Sequence, residues 1–483
     1  MTPLLILTTF LLYTGILFFV SWLTTRKSGS NSAFFSGNHQ SPWMLVAYGM
    51  IGASLSGVTF ISVPGDVLNT SFSYMLIVFG YLVGYLVIAK VLMPVYYRMK
   101  LTSIYSYLGS RFGIVSYKTG SFFFLLSRVI GASFRMYLVV NVLHLFVFKN
   151  YEIPFIATVA FFILLILIYT FRGGIKTIVW TDTLQTTFML GALVLSIALI
   201  SKEMGEGLFS LSRQVFDDGL SRLVFTDINS KQHFLKQFFS GMFITIVMTG
   251  LDQDMMQKNL TCRNLKDAQK NMFWMSASLV PVNFIFLMLG GFLILFARSK
   301  GMAIPSTTDD LFPLIALQYL GPVAGIVFII GLISAAYSSA DSALTSLTTA
   351  FCVDFLNFET RSDLSEERAV AIRKKVHIMV AFVIMAVIAV FHAINDASVI
   401  SKLFTVAGYT YGPLLGLFSF GLFTRYRVID HWIPLVAFAS PVICYILSRN
   451  SADWFNGYHF GFELLIVNGL LTFAGLWLLR KKS

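Results

Sequence analysis

The chain has 483 residues, of which 57% are hydrophobic and only 12% are charged, and its formal net charge at pH 7 is +12. Soluble domains average about 25% charged residues, and disordered chains are poor in hydrophobic residues, so this composition excludes a soluble enzyme and a disordered chain. The mean hydropathy of +0.77 instead predicts a membrane protein that crosses the bilayer many times.

Thirteen apolar runs are long enough to cross a bilayer, which takes about 20 residues in a helix. In chain order they cover 3–23, 43–66, 72–97, 119–148, 152–171, 178–201, 235–257, 272–297, 319–356, 376–395, 401–424, 431–448 and 459–479. The sequence therefore predicts an all-α integral membrane protein with about 13 transmembrane helices, forming a single transmembrane domain over residues 1–483.

Basic residues are concentrated in every second segment between these runs. Seven such segments hold 22 of the 35 basic residues, and the positive-inside rule places them in the cytoplasm. They contain Arg26, Lys27, Arg98, Lys100, Arg111, Lys118, Arg172, Lys176, Lys258, Arg263, Lys266, Lys270, Arg361, Arg368, Arg373, Lys374, Lys375, Arg425, Arg427, Arg480, Lys481 and Lys482. With an odd number of spans, we expect the N-terminus outside and the C-terminus in the cytoplasm, in the inner (cytoplasmic) membrane. The positive charge sets the topology, so no nucleic-acid partner is predicted.

Two spans contain weak points for a helix. The second span includes Gly49 and Gly52 in a stretch rich in small and hydroxyl residues, although glycine costs about 1 kcal/mol in a helix interior. Close helix packing explains such a stretch, and so does an unwound helix whose carbonyls line a site at mid-membrane. Span 235–257, five spans later, has similar points at Ser240-Gly241, Thr245 and Thr249-Gly250. Two interrupted helices at matching positions of two five-helix halves favour a transporter built from inverted repeats.

The span 319–356 carries a stripe of small and hydroxyl residues with one acid, Asp341, beside it. The stripe comprises Ala335, Ser338, Ser339, Ser342, Thr345, Ser346 and Thr349. Such residues can serve helix packing, but a carboxylate at mid-membrane costs several kcal/mol unless it is paired or binds an ion. Hydroxyl, carboxylate and carbonyl oxygens suit a hard cation such as Na⁺, whereas zinc and copper prefer histidine and cysteine ligands. The sequence therefore predicts a Na⁺ site in this span.

Asp182 is a second acid within an apolar run, near the start of 178–201. The helix dipole favours an acid in a first helical turn, but two buried acids repel unless a cation lies between them or one is protonated. Arg128 and Arg135 lie seven residues apart on one face of the span 119–148, as candidate counter-charges or anion contacts. We expect Arg128 to extend to the cytoplasmic surface, whereas Arg135 lies deeper.

The sequence contains no Walker loop, H-E-x-x-H or G-x-S-x-G motif. Its histidines are scattered, so no acid–base pair with a nucleophile can be recognised. We expect a protein that is not an enzyme.

Four segments, in order, resemble motifs of the sodium/solute symporter family, with the closest motif match to bacterial sialic acid symporters. They are Gly-Ala-Ser-Leu-Ser-Gly at 52–57 with Val-Pro-Gly at 63–65, Gly-Gly-Ile-Lys-Thr-Ile-Val-Trp-Thr-Asp-Thr-Leu-Gln at 173–185, Gly-Leu-Asp-Gln-Asp-Met-Met-Gln at 250–257, and Ala-Ala-Tyr-Ser-Ser-Ala-Asp-Ser at 335–342. The resemblance implies a leucine-transporter-like fold, a five-plus-five inverted repeat. Its parts would be an extra leading helix at 3–23, a first repeat at 43–201, a second repeat at 235–424 and two trailing helices at 431–479.

The resemblance also implies ligand sites. The Na⁺ site common to the family would use Gly52, Leu55, Ala335, Ser338 and Ser339. A second Na⁺ site, present in some members, would use Asp182, Ser338, Asp341 and Ser342, although the family often has Ser or Thr where this chain has Asp341. Ser56 and Thr59 match the Ser-x-x-Thr pair with which a sialic acid symporter holds its substrate's carboxylate, Arg135 would assist, and Tyr74 would form an aromatic wall.

These features together predict a Na⁺-coupled symporter that imports a small polar solute across the cytoplasmic membrane by alternating access. The solute would be a sugar acid such as sialic acid, or a monosaccharide. Alternatives are a Na⁺- or H⁺-coupled carrier of another small carboxylate, and a channel or sensor that retains the Na⁺ site, although a channel would show rings of charges or carbonyls. The expected partners are the solute and membrane lipid, with no obligate protein partner.

Overall fold

The computed structural model describes residues 1–25, 41–170, 175–358, 361, 364–394 and 398–481. Arg26, Lys27, Arg172 and Lys482 of the predicted cytoplasmic set lie outside the described residues, as does the Gly-Gly pair at 173–174.

Every predicted span contains at least one helix of the described chain, although 152–154 and 459–463 are not helical. The helices are α1 (Pro3–Thr25), α2 (Trp43–Thr70), α3 (Tyr74–Met99), α4 (Ile114–Phe146), α5 (Phe155–Thr170), α6 (Ile175–Met204), α7 (Phe234–Gly250), α8 (Gln253–Leu260), α9 (Leu265–Ser299), α10 (Gly321–Phe355), α11 (Glu366–Ile394), α12 (Val399–Thr410), α13 (Gly412–Phe423), α14 (Ile433–Arg449) and α15 (Leu464–Leu478). Shorter helical turns lie in the connecting segments, at Ser106–Arg111, Phe148–Tyr151, Leu208–Asp217, Thr308–Asp310, Leu311–Leu314, Ile315–Tyr319, Asp430–Trp432 and Ser451–Trp454.

Nine helices of the described chain are long and apolar enough to cross a membrane, and the number rises to 11 if each of two bent pairs, α7 with α8 and α12 with α13, forms one span. Two shorter apolar helices, Phe155–Ile168 and Leu464–Leu478, lie within the predicted runs 152–171 and 459–479. These helices confirm the predicted all-helical membrane architecture, which suits lipid because helices satisfy their own backbone hydrogen bonds. The count of thirteen spans stays a prediction.

Both spans with predicted weak points are interrupted in the structure, although the helix runs unbroken through Ser240-Gly241. In α2 the backbone leaves the helical region at Ser56, where φ is 52° and ψ is 176°. Helix α7 ends in a widened turn at Ile246–Gly250, and α8 then leaves at a bend of 64°. Asp252 caps the new helix, because its carboxylate accepts from the backbone N–H groups of Asp254 and Met255. Irregular backbone of this kind is tolerated at membrane depth only where protein surrounds it, and Ser56 is indeed buried.

The centre of the molecule is α10, in which every residue from Gly331 to Ala350 is buried. It packs against α2, α4, α6 and α11. The small and hydroxyl stripe of α10 therefore faces other helices rather than lipid, which places the predicted Na⁺ ligands in the protein interior.

Helices α3 and α7 meet at a contact that only glycine permits. A Cβ added to Gly241 would lie 2.1 Å from the carbonyl oxygen of Ile77, and one added to Gly80 would lie 2.1 Å from the carbonyl oxygen of Phe238. Backbone atoms cannot move aside as a flexible side chain can, so these two glycines set the distance between α3 and α7.

We predict that Gly241→Ala lowers the stability of the protein by about 1–3 kcal/mol or more, because the added methyl group forces the two helices apart. The matched control is Gly191→Ala in α6, where nothing lies within 4 Å of the added Cβ. That change should be neutral or stabilising by up to about 1 kcal/mol, since alanine is the better helix former. Thermal unfolding of both purified variants measures the difference, and equal midpoints would contradict the proposed contact.

Candidate functional site

A cavity of about 70 Å³ lies beside the break in α2. The structure brings all four predicted substrate residues to it, because Ser56, Thr59, Tyr74 and Arg135 all line its wall. They come from α2, α3 and α4, three helices that follow one another along the chain. The structure thus brings these four residues together, whereas their role in binding a substrate stays a prediction.

The cavity wall also contains polar residues that the sequence analysis does not assign to a binding site. They are Tyr81, Tyr85, Thr245, Thr249 and Asn283. Tyr81 and Tyr85 follow Tyr74 at seven and eleven residues, a spacing that puts all three on one face of α3. The hydroxyl groups of Tyr74 and Tyr81 lie 3.1 Å apart and form a hydrogen bond.

Arg135 is a buried cation at this cavity, with 9% of its surface exposed. Its Nε has no hydrogen-bond partner, and within the described part of the chain no carboxylate forms an ion pair with it. The nearby acids Asp252 and Asp254 are engaged by Arg128 instead. The guanidinium of Arg135 at the cavity wall therefore lacks a direct ion pair within the described residues, and the two acids interact with it only at longer range.

The structure places Arg128 inside the helix bundle, with 3% of its surface exposed, so the expectation that it reaches the cytoplasmic surface was wrong. Its Nη2 donates to Asp254, and its Nη1 lies 4.0 Å from Oδ2 of Asp252. The hydroxyl of Tyr411, between α12 and α13, donates to the same Asp252 oxygen at 2.6 Å. The guanidinium stays buried because acids of α8 neutralise it there. We call these four residues the Arg128 cluster.

The residues predicted for the common Na⁺ site lie on two helices that pack together, α2 and α10. All five, Gly52, Leu55, Ala335, Ser338 and Ser339, are buried. Gly52 and Leu55 directly precede the break at Ser56, which interrupts the helical hydrogen-bond ladder and makes nearby carbonyls available. Gly52 also allows close packing on α6, because an added Cβ would lie 2.2 Å from Oγ1 of Thr186.

In the predicted second Na⁺ site, Asp182 forms an ion pair with a lysine from outside the predicted residues. Nζ of Lys258 lies 2.8 Å from Oδ2 of Asp182, and both side chains are 1% exposed. Oδ1 of the same carboxylate accepts from the hydroxyl of Ser338 at 2.7 Å. On α10, the backbone N–H of Ser342 donates to Asp341 at 2.6 Å.

Two expectations about this set were wrong. Lys258 was counted among the cytoplasmic charges, but it lies in the buried helix α8 and pairs with Asp182. Asp182 was placed about one turn into its helix, but the described α6 begins at Ile175, seven residues earlier, so the acid is not in a first turn. The pair lies across α6 and α8, which one sequence alone does not show to be neighbours.

A second cavity, of about 180 Å³, lies on the predicted outer side and is lined partly by the segments 231–232 and 460–462. It shares Tyr74, Ile400 and Phe404 with the central cavity. The rings of Tyr74 and Phe404 stack with 5° between their planes and 6.5 Å between their centroids. A stacked aromatic pair therefore stands between the outer cavity and the central one.

Comparison with known proteins identifies relatives over almost the whole chain. A sequence model of the sodium:solute symporter family matches residues 34–428. The chain is 23% identical to the sodium/sialic acid symporter SiaT of Proteus mirabilis, with 86% of this chain and 83% of that protein aligned. It is also 23% identical to the sodium/sialic acid symporter NanT of Aliivibrio fischeri, with 95% and 91% aligned. The human sodium/iodide cotransporter is 24% identical over 83% of this chain and 63% of its own length.

Solved structures show the same fold. A Na⁺-coupled sialic acid symporter in a substrate-bound outward-open state superimposes with a TM-score of 0.81 over 99% of both chains, at 20% identity. MHP1, a nucleobase-cation-symport-1 family transporter in a closed conformation, has a TM-score of 0.51 over 93% of both chains, at 13% identity. The predicted leucine-transporter-like fold is thereby confirmed.

The outer end of α12 is fixed by Asp309, which lies in the loop between α9 and α10. The backbone N–H of Val399, the first residue of α12, donates to Oδ2 of Asp309 at 2.8 Å. Burial raises the pKa of Asp309 from its ordinary 3.8 to about 7, although the bond from Val399 opposes the rise. Since α12 carries Ile400 and Phe404, this loop contact positions the wall shared by both cavities.

We predict that Asp309 makes the protein less stable as the pH rises. The folded protein holds this proton up to about pH 7, whereas the unfolded chain releases it near pH 4, so folding is favoured most in acid and loses up to about 1.4 kcal/mol per pH unit between these values. Asp309→Asn should flatten this part of the thermal-stability profile, because the amide oxygen still accepts from Val399 but does not titrate. Asp217→Asn, at an exposed surface position, is the control. Identical pH profiles for wild type and Asp309→Asn would contradict the assignment.

Proposed function

The chain belongs to the sodium:solute symporter family, and from that premise we propose that it imports a small organic anion together with Na⁺ across the cytoplasmic membrane. The solute class that we propose is a sugar acid such as sialic acid. Transport proceeds by alternating access, with the N-terminus outside and the C-terminus in the cytoplasm. The repeats at 43–201 and 235–424 form the core, preceded by the helix at 3–23 and followed by the two helices at 431–479.

The main support for an anionic solute is that Arg135 is buried at the cavity without an ion-pair partner among the described residues. A buried charge costs several kcal/mol unless a partner compensates it, yet no described carboxylate pairs with this guanidinium. A solute carboxylate in the central cavity supplies the missing charge and accepts from the planar N–H groups of arginine. A neutral monosaccharide would leave the charge uncompensated.

The break in α2 supplies further donors for the same carboxylate. Ser56 and Thr59 line the cavity with Arg135, and hydroxyl groups donate readily to a carboxylate. The relatives named as sialic acid symporters agree with a sugar acid, whose carboxylate binds here while its hydroxyl groups meet the polar side chains of Tyr81, Tyr85 and Asn283.

Na⁺ binds, in this proposal, between α2 and α10, at carbonyl and hydroxyl oxygens of Gly52, Leu55, Ala335, Ser338 and Ser339. Such oxygens are hard ligands suited to Na⁺. The ion orders the segment just before Ser56, and the solute binds to Ser56 and Thr59 just after it. Each ligand therefore binds better when the other has already ordered the break, which is thermodynamic coupling between two sites.

We predict that a sugar acid raises the thermal stability of the purified protein only when Na⁺ is present. A ligand at a hundredfold excess over its Kd stabilises the folded state by about 2.7 kcal/mol. Arg135→Gln should weaken this ligand by about ten- to a hundredfold, because a charge-assisted hydrogen bond is lost, while the Na⁺ effect alone persists. Arg135→Lys, which keeps the charge, should retain part of the affinity. A neutral sugar that stabilises wild type and Arg135→Gln equally would overturn the anion assignment.

We predict that Ser339→Ala raises the Na⁺ concentration needed for half-maximal stabilisation several-fold. The hydroxyl of Ser339 has only a long contact, 3.4 Å, with the carbonyl of Ala335, so its loss removes an ion ligand with little effect on folding. Ser346→Ala is the matched control, because it removes another buried hydroxyl of α10 that donates to the carbonyl of Ala343. An unchanged Na⁺ response in Ser339→Ala would remove this residue from the site.

A further inference from the structure

The second predicted Na⁺ site holds a positive charge that belongs to the protein itself. The ammonium group of Lys258 lies 2.8 Å from Asp182, the acid on which that site depends. The hydroxyl of Ser338 occupies the other oxygen of the same carboxylate. Both oxygens of Asp182 are therefore engaged by groups of the chain.

The position of Lys258 suits this role. It lies in α8, directly after the 64° bend that follows α7, and it reaches α6 from there. Asp341 of α10 also interacts electrostatically with Lys258. One ammonium group thus bonds to Asp182 and interacts with Asp254 and Asp341, and a cation near several carboxylates reduces the repulsion that they would otherwise experience.

We propose that Lys258 replaces the second Na⁺, so that one Na⁺ rather than two accompanies each solute. This inference rests on the proposed Na⁺ site between α2 and α10, which supplies the single transported ion. The ammonium carries the same charge as Na⁺ and neutralises Asp182 equally, but it is tethered to α8 and cannot leave with the solute. A second Na⁺ would have to bind beside a like charge, which disfavours it.

The competing explanation is that the ion pair only holds α6 and α8 together. A purely structural pair predicts that its removal costs stability and leaves Na⁺ stoichiometry unchanged. Replacement of an ion predicts instead that removing the ammonium creates a new Na⁺ site. The number of Na⁺ ions bound per chain therefore distinguishes the two explanations.

The experiment measures equilibrium binding of radioactive Na⁺ to the full-length purified protein in N-methyl-D-glucamine buffer. We expect one Na⁺ per chain for wild type and two for Lys258→Met, in which the vacated position beside Asp182 accepts an ion. Lys258→Arg retains the charge and should bind one Na⁺. The double variant Asp182→Asn/Lys258→Met removes both charges and should also bind one.

Two Na⁺ ions in wild type would overturn this inference and leave the proposed function intact. One Na⁺ in both wild type and Lys258→Met would overturn it as well. If wild type binds no Na⁺, the proposed common Na⁺ site is wrong. One Na⁺ bound to Lys258→Met would in that case still support the replacement of Na⁺ by Lys258. No Na⁺ bound to either protein would overturn the common site and the replacement together.

Thermal stability gives a second readout that does not depend on counting ions. Without Na⁺, the Asp182 carboxylate of Lys258→Met is buried with no cation to neutralise it. The unfolding midpoint of this variant should therefore fall well below that of wild type. Added Na⁺ should raise this midpoint more in Lys258→Met than in wild type or in the double variant. A Lys258→Met protein that stays unfolded at high Na⁺ while the double variant folds would show that Na⁺ cannot replace the ammonium, and the inference would be wrong.

Discussion

Compensation of buried charge determines how this bundle is arranged. A carboxylate or guanidinium inside the bilayer is costly unless it is paired, and removing one partner of a buried pair costs about 3–5 kcal/mol. Asp182 pairs with Lys258, and the acids of α8 pair with Arg128. Both pairs join α8 to another helix, so the segment after the bend is held by charge rather than by apolar packing alone. Against this background Arg135, which forms no ion pair within the described residues, is the group to which the proposed solute anion would bind.

Different chemistry borders the central cavity on its two sides. Towards the predicted outside, Tyr74 and Phe404 stack, and aromatic pairs contribute about 0.5–1.5 kcal/mol beyond their buried area. On the other side lies the Arg128 cluster, whose members come from α4, α8 and the junction of α12 with α13. Separating the aromatic rings is a small energetic step, whereas separating the Arg128 cluster requires water or other partners for several charges. The outward path is therefore the easier one to open in this arrangement.

Much of the architecture could be predicted from the sequence, because hydropathy and helix-breaking residues act locally. The helices follow the apolar runs, and both spans with predicted weak points are interrupted. Charge pairing could not be predicted in the same way. Lys258 directly follows an apolar run and Arg128 lies within the cytoplasmic half of one, so sequence rules assign both charges to the surface. Their partners lie 76 and 126 positions away. Only the folded chain shows these pairs, although the repeated tyrosines of α3 were visible in the sequence as one helical face.

The break at Ser56 gives the proposed coupling of an ion to a solute a physical basis within one short segment. A serine with a positive φ stores about 1–3 kcal/mol of backbone strain, and the surrounding helices maintain it because Ser56 is buried among them. On one side of this residue the chain offers carbonyl oxygens, which attract cations, and on the other side it offers N–H and hydroxyl groups, which attract anions. A continuous helix would hide both sets in its own hydrogen bonds. In the proposed mechanism the strained residue divides α2 into a half that binds Na⁺ and a half that binds the solute anion, so the order that Na⁺ imposes on one half is transmitted to the solute contacts of the other.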